Sequence, residues 1–373
     1  MNPPPPNSPG LRASSRRRSK WAGGLALAFQ LAGLFAAWEL AVRLSWNRPA
    51  DRSTPAFQVD AGYGFAPIPG ASGLHVSAEY DTRFTHGVHG FRSPDPAVDK
   101  PGSRERLLVL GDSQTYGLGV SNGVTFCDRL AENRQASLAL VNAGCNGYGT
   151  RNSLAVLHHF GAQWRPDRVW LVFFWNDLED DWTRTTPEFS RDAQGQLTRA
   201  DPPPTDWSPL ERLVQIPEPK QARAFESKLS RFLKEATRPW RYRWLGSKPR
   251  EIANSEDLEA AWVVQSELLR ALRDRAAELN TELTILALPN QTQINAEAVI
   301  QSIRPLNYDV QDRLFQVCDE LGLEIFDLRP ALREAHAADP APLYYYADRH
   351  LTARGHAVLA QALEQNLLVP DTP

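Results

Sequence analysis

Five short apolar runs recur along the chain: Arg106–Leu110, Leu138–Asn142, Val169–Phe174, Leu283–Leu288 and Leu323–Phe326. They are mostly Leu, Val, Ile or Phe and do not alternate with polar residues, the pattern of strands covered on both faces. Between them lie helical stretches, Val124–Asn133, Arg151–Ala162, Ser255–Leu279 and Asp309–Leu321. A last one, Thr352–Leu367, spaces Ala357, Leu359, Ala360 and Leu363 at a helical interval. Strands alternating with helices predict an α/β fold built on a doubly wound sheet. Residues 178–254 interrupt the rhythm, being far longer than a normal crossover. That insertion contains Asp201-Pro-Pro-Pro204 and a basic amphipathic stretch around Ala222–Ala236. A lid, a partner surface and a membrane-proximal flap all fit it.

A different pattern rules the N-terminus. Residues 1–20 hold Pro3 to Pro6, then Arg12, Arg16, Arg17, Arg18 and Lys20, with no acidic residue. Such a segment cannot bury enough apolar surface to order itself and reads as a disordered basic tail. From Trp21 to Trp38 the chain carries no charge, and the apolar run continues past Glu39 to Val42. About 20 helical residues span a hydrocarbon core of about 30 Å, and Trp21, Trp38 and Trp46 stand near the ends, where interfacial tryptophans lie. An uncleaved anchor over 21–43, a cleaved signal peptide and a buried helix compete for this run. Its length and the lack of a small-x-small cleavage site favour the single-pass anchor. The basic cluster ahead of it places the N-terminus in the cytoplasm and the rest of the chain in the periplasm or outside the cell. The expected order is then tail 1–20, transmembrane helix 21–43, a short-stranded extension over 44–104 rich in Gly, Pro and Asp, and a main domain over 105–370.

Composition narrows the function without naming it. The 373 residues are 42% hydrophobic and 23% charged, ordinary globular values. A net charge of -3 gives no reason to expect a nucleic-acid partner. Cys127, Cys145 and Cys318 are odd in number, so at most one disulfide forms, and each reads as a small buried apolar residue.

The candidate chemistry sits at strand ends. Gly111-Asp112-Ser113-Gln114-Thr115 follows the first apolar run directly, so a serine stands where ligands bind in open parallel sheets. A serine hydroxyl needs an adjacent base, and a histidine needs a carboxylate on its other ring nitrogen to fix the tautomer. Asp348-Arg349-His350 offers both just before the last helix. Two further blocks, Asn142-Ala-Gly-Cys-Asn-Gly147 and Asn176-Asp177, follow the second and third runs. No Gly-x-Ser-x-Gly elbow, P-loop or Rossmann glycine pattern occurs.

In this order the four blocks resemble those of the SGNH (GDSL-type) hydrolases, specifically the membrane-anchored bacterial type. The resemblance covers roughly residues 105–367. It implies a flavodoxin-like sheet of about five parallel strands. It also implies Ser113 as nucleophile, His350 as general base and acid, Asp348 as orienter, and an oxyanion hole from the Ser113 and Gly147 backbone N–H groups and the Asn176 amide. In the commoner family pattern Asp stands three residues before His; here the spacing is two, and Ala347 occupies the usual position. Trp175 replaces a glycine more frequent there, which suggests a bulky wall beside the acyl pocket. Tyr148, Tyr116 and the run Tyr344-Tyr345-Tyr346 fit either a sugar-stacking groove or ordinary packing.

The implied activity is hydrolysis of an O-acyl ester, O-acetyl among the options, on an extracytoplasmic carbohydrate or lipid, with no cofactor and no metal. Acyl transfer to a polysaccharide uses the same machinery, and a non-catalytic scaffold would keep only the fold. Blander local readings exist for each block. Asp112 or Ser113 can cap a helix, Asn142 and Gly147 can be loop residues, Asn176-Asp177 can be a turn, and Asp348 and His350 can cap the last helix. Glu179-Asp180-Asp181 fits a solvated loop better than a cation site, and His356 fits packing better than assistance to His350. His86 and His89 lack the company of further metal ligands.

Overall fold

The structure is a computed structural model. It describes residues 27, 29–42, 44, 53–60, 64–92, 104–183, 189–191, 197–199, 255–295, 310–346 and 348–368. The chain divides into two compact units, and the smaller includes residues 1–48. Residues 29–42 are helical there, with Phe29, Leu31, Leu34, Phe35, Trp38 and Leu40 exposed. Among the described residues, no helix is long and apolar enough to cross a membrane. The basic tail and residues 21–26, 28 and 43 of the expected span lie outside the described residues.

The larger unit carries the sheet. Five strands, β5 (Glu105–Gly111), β6 (Leu138–Asn142), β7 (Arg168–Phe173), β10 (Glu282–Ala287) and β11 (Glu324–Asp327), pair in the order β11-β10-β7-β5-β6, all parallel. In chain order this is 2-1-3-4-5 from the β6 edge, the doubly wound arrangement of flavodoxin. The topological switch lies between β5 and β7, where two successive connections leave in opposite directions and open a crevice at the carboxyl ends.

Unbroken apolar runs form these strands because both faces are buried. Leu108, Leu110, Val169, Leu171, Phe173 and Ile285 point to one side. There they meet α3 (Thr150–Trp164), α5 (Ser255–Glu278) and, after the one-turn α6 (Gln291–Ile294), α7 (Val310–Leu321) through Val156, Phe160, Leu269, Leu272 and Leu314. Leu107, Val109, Trp170, Val172 and Leu286 point to the other. Their partners are Phe126 and Leu130 of α2 (Phe126–Asn133), Leu332 of α8 (Arg329–Ala338), and Leu359 and Leu363 of α9 (Ala353–Leu367). Within each strand, alternate residues thus serve different cores.

Three elements depart from the sequence reading, while the extension takes, over its described residues, the short strands expected of it. The 53–92 part of the extension forms two antiparallel hairpins, β1 (Phe57–Asp60) with β2 (Gly64–Pro67) and β3 (Ser72–Val76) with β4 (Asp81–Thr85). Helix α8 was not expected from the sequence. The stretch after β7 is neither a turn nor a solvated loop but a helix, α4 (Trp175–Thr183), whose Leu178 and Asp181 are buried. Beyond α4 the insertion contributes a small antiparallel pair, β8 (Phe189–Arg191) and β9 (Leu197–Arg199); the amphipathic stretch around 222–236 lies outside the described residues. All three cysteines are buried and unbridged.

Candidate active site

Strand β5 delivers Ser113 through a turn that only glycine can make. Gly111 has φ 149°, and a Cβ there would stand 2.3 Å from Thr115 Oγ1 and 3.0 Å from the Val172 carbonyl of β7. Asp112 then caps the short helix α1 (Ser113–Tyr116), its Oδ1 accepting the Gln114 N–H at 2.8 Å. The capping reading of Asp112 is therefore correct, and it sits beside the nucleophile reading of Ser113 without conflict. From β6, Asn142 braces the same helix: its Nδ2 donates to the Thr115 carbonyl at 2.8 Å and its Oδ1 accepts the Gly144 N–H at 3.0 Å.

The C-terminal loop arrives at this point from 237 residues away. His350 Nε2 lies 2.7 Å from Ser113 Oγ, and His350 Nδ1 hydrogen-bonds Asp348 Oδ1. A carboxylate on Nδ1 holds the proton there, so Nε2 presents its lone pair to the serine hydroxyl. Ser113 is nearly buried, while His350 and Asp348 keep a little exposure. The helix cap that Asp348 could have supplied is provided by Thr352, whose side chain accepts the Gly355 N–H. Gln114 fastens the loop to α1, its Nε2 donating to the Arg349 carbonyl at 3.2 Å and its Oε1 accepting the Leu351 N–H at 3.0 Å.

The other expected donors follow the strands on either side of β5. Gly147, after β6, has φ 80°, a left-handed conformation that L-residues rarely take. Asn176 is the second residue of α4, after β7, and its amide donates to Asp180 Oδ2 at 3.0 Å. Beneath Ser113 lies a group of buried acids. Burial pushes the Asp112 carboxyl up to about 6, against the Gln114 N–H and His350, which favour its ionised form. Burial, with Asp112 and Asp181 nearby, holds Asp177 well above the usual range. Burial also raises Asp181 to about 6, although it accepts the Thr150 and Arg151 N–H groups at 2.9 and 3.2 Å.

Several expected contributors are placed elsewhere. Tyr148 and Tyr116 have no exposed surface, and Tyr344 is buried with its hydroxyl on the Pro289 carbonyl. Their rings are core, not a stacking groove, which corrects the substrate-binding reading of Tyr148. Trp175 is half-buried at the start of α4, packed against both cores. His356 is a packing residue: its Nδ1 accepts the Phe126 N–H at 3.2 Å, its ring stacks on Phe126, and burial lowers its pKa to about 3. His86 hydrogen-bonds the Ile68 carbonyl and the Tyr116 hydroxyl, and His89 packs on Phe160 and Trp164. Among the described residues, no three His, Cys, Asp or Glu side chains are grouped to hold a metal ion.

Residues 109–358 match the family model of the GDSL-like lipase/acylhydrolases, two-thirds of the chain and every block described above. The chain belongs to this GDSL-like family. Its members hydrolyse esters, and this chain is an ester-hydrolysing enzyme of that kind. No curated protein matches it. Among solved structures it is similar to the acetylxylan esterase Axe2 of Geobacillus stearothermophilus, at 16% identity over 72% of this chain and 95% of that one, with TM-score 0.39. It is also similar to LAE5, an alpha/beta hydrolase enzyme from the metagenome of Lake Arreo, Spain, at 17% identity over 72% and 97%, with TM-score 0.36. Likenesses this distant say nothing of the substrate.

The contacts that sequence reasoning missed are Gln114, Glu79, Tyr80 and Arg92. Arg92, buried in the extension, donates to the carbonyls of Tyr116 (3.2 Å), Gly117 (2.7 Å) and Val120 (3.0 Å), closing the end of α1.

Proposed function

We propose that this GDSL-like enzyme removes a short O-acyl group, acetyl above all, from an extracytoplasmic carbohydrate or lipid, with Ser113, His350 and Asp348 as its catalytic residues. The observation that carries the reading is the 2.7 Å contact between Ser113 Oγ and His350 Nε2, with Asp348 on the opposite ring nitrogen. Ser113 Oγ attacks the acyl carbonyl while His350 Nε2 takes its proton, and Asp348 steadies the imidazolium. The oxyanion is met by the N–H groups of Ser113 and Gly147 and by the Asn176 amide, which exchanges its Asp180 contact for the substrate oxygen. His350 returns the proton to the leaving alcohol, and an acyl-Ser113 ester remains. Water, deprotonated by His350, attacks that ester, and the carboxylic acid and free Ser113 are regenerated. Trp175, at the mouth of α4, limits the acyl pocket to small groups.

The extracytoplasmic setting rests on the charge-free run between Trp21 and Trp38, the basic cluster before it, and the exposed apolar side chains along helical residues 29–42. We place the 21–43 segment in the membrane as a single-pass anchor on that basis. A series of p-nitrophenyl esters tests the chemistry: turnover should be highest for acetate, fall with chain length, and vanish in Ser113→Ala. A flat or rising series would overturn the small-acyl assignment. A reporter fused after residue 46 tests the topology, and a cytoplasmic signal would contradict it.

A further inference from the structure

Arg349, between Asp348 and His350, has φ 69°, a left-handed conformation that a residue with a Cβ rarely takes. A loop held this way needs partners beyond its own residues. They come from the tip of the β3–β4 hairpin, 268 residues earlier in the chain than Asp348. Ser77 shapes that tip, its backbone N–H donating to the Tyr80 carbonyl at 2.9 Å and its Oγ accepting the Glu79 N–H at 3.0 Å. The two residues so displayed both reach the catalytic loop. Glu79 Oε1 accepts the Tyr346 N–H and Oε2 accepts the Asp348 N–H, each at 2.8 Å. Tyr80 donates its hydroxyl to Asp348 Oδ2 at 3.1 Å, while Oδ1 serves His350.

The hairpin is fixed to the other half of the site as well. His75 of β3 and the Tyr116 hydroxyl of α1 are 2.9 Å apart, and Asn122 bonds both the N–H and the carbonyl of Thr85 in β4. The Tyr80 ring lies on the Tyr345 ring, centroids 5.1 Å apart. One hairpin therefore contacts the nucleophile's helix and the base's loop together.

We propose that Glu79 and Tyr80 are positioning residues of the catalytic unit: Glu79 sets the backbone of the Asp348 loop, and Tyr80 extends the hydrogen-bonded chain to Tyr80–Asp348–His350–Ser113. This rests on the Ser113–His350–Asp348 reading given above. A phenol donated to a carboxylate spreads its negative charge and stops it rotating. Without it the more concentrated charge of Asp348 holds the imidazolium form of His350 more strongly, and the proton taken from Ser113 is passed less readily to the leaving alcohol. Burial and the Asp348 charge push the Tyr80 hydroxyl well above its ordinary range, so it stays a donor at every working pH. The charged and titratable groups facing the loop are Glu79, Tyr80 and Tyr345, then Asp112 beneath Ser113, Arg349 within the loop, and His356 of α9.

The test uses the full-length enzyme with p-nitrophenyl acetate, comparing wild type, Tyr80→Phe, Glu79→Gln and Ser113→Ala. Tyr80→Phe keeps the ring packing and removes only the donor. Its kcat should fall about tenfold with KM changed less than about twofold, consistent with a hydrogen bond to a charged group. The acidic limb of its kcat/KM profile should move to higher pH. Glu79→Gln, which retains one acceptor, should lower kcat by about fivefold and leave that limb in place. A Tyr80→Phe enzyme with wild-type kcat and profile overturns the inference. So does a kcat loss with an unmoved profile and a lowered melting temperature, which would mark Tyr80 as structural only. Persistent turnover in Ser113→Ala would instead remove the triad reading on which the inference stands.

Discussion

Gln114 joins the two halves of the catalytic unit, and its removal has a cost that follows from the structure. In Gln114→Ala the buried amide disappears, and with it the bonds to the Arg349 carbonyl and the Leu351 N–H. Two hydrogen bonds contribute about 1 kcal/mol each, and Leu351, fully buried, is left with a donor facing no acceptor, which adds about 1 kcal/mol more. The sum, about 3 kcal/mol, falls mostly on the 345–351 loop, because α1 keeps its own anchors in Asn142 and Arg92. A loop loosened by that amount presents His350 to Ser113 only part of the time. We expect kcat on p-nitrophenyl acetate to fall about 10–100-fold, with KM within about threefold. Urea unfolding should register a smaller loss than 3 kcal/mol, since part of the cost is local. A double-mutant cycle isolates the route: Gln114→Ala added to His350→Ala should cost almost nothing further, because both act through one base. If Gln114→Ala retains kcat within twofold, or if its loss persists undiminished in the His350→Ala background, the reasoning fails.

Further outcomes follow from the same geometry. Asp348→Asn leaves the loop bonded but removes the charge that fixes the tautomer, and kcat should fall about 10³–10⁴-fold with little change in urea midpoint; an activity loss under tenfold would remove Asp348 from the triad. Arg92→Met strips the donors that close α1, and a destabilisation of about 3–5 kcal/mol is expected by urea titration; a change below 1 kcal/mol would show that water replaces them. Asp181 has its carboxyl raised from 3.8 to about 6, chiefly by burial, so folding favours its neutral form. Its contribution is complete below about pH 4 and is lost as pH rises through 6, roughly 3 kcal/mol for a shift of about two units. Asp181→Asn should therefore flatten the fall in stability between pH 4 and 7, and an unchanged slope in the variant would refute the assignment.

How much of this was readable beforehand differs by the kind of contact. The five sheet strands could be read because burial on both faces demands unbroken apolar runs, and Val169–Phe174 or Leu283–Leu288 satisfy little else. Ser113, His350 and Asp348 could be read because short blocks keep their chain order on strand ends. Helix α4 was hidden by its charge: Trp175, Leu178 and Trp182 share a face, yet Glu179-Asp180-Asp181 suggested water, and the burial of Asp181 against the start of α3 is a tertiary fact. Tyr148 misled in the opposite way, since a tyrosine beside a candidate oxyanion donor looks accessible until the core closes over it. Gln114, Glu79 and Tyr80 left no local trace, because each acts on residues more than 230 positions away. Their partners exist only once the extension and the last loop meet over β5.

The central claim is that Ser113 is a nucleophile activated by His350. Covalent labelling of the full-length protein with a fluorophosphonate probe, beside Ser113→Ala and His350→Ala, measures that directly, because the probe reacts only with a serine served by a base and an oxyanion hole. The account predicts rapid labelling of the wild type, none in Ser113→Ala, and labelling slowed by at least about a hundredfold in His350→Ala. A well-folded wild type that stays unlabelled, or a Ser113→Ala variant that labels as fast, would contradict it.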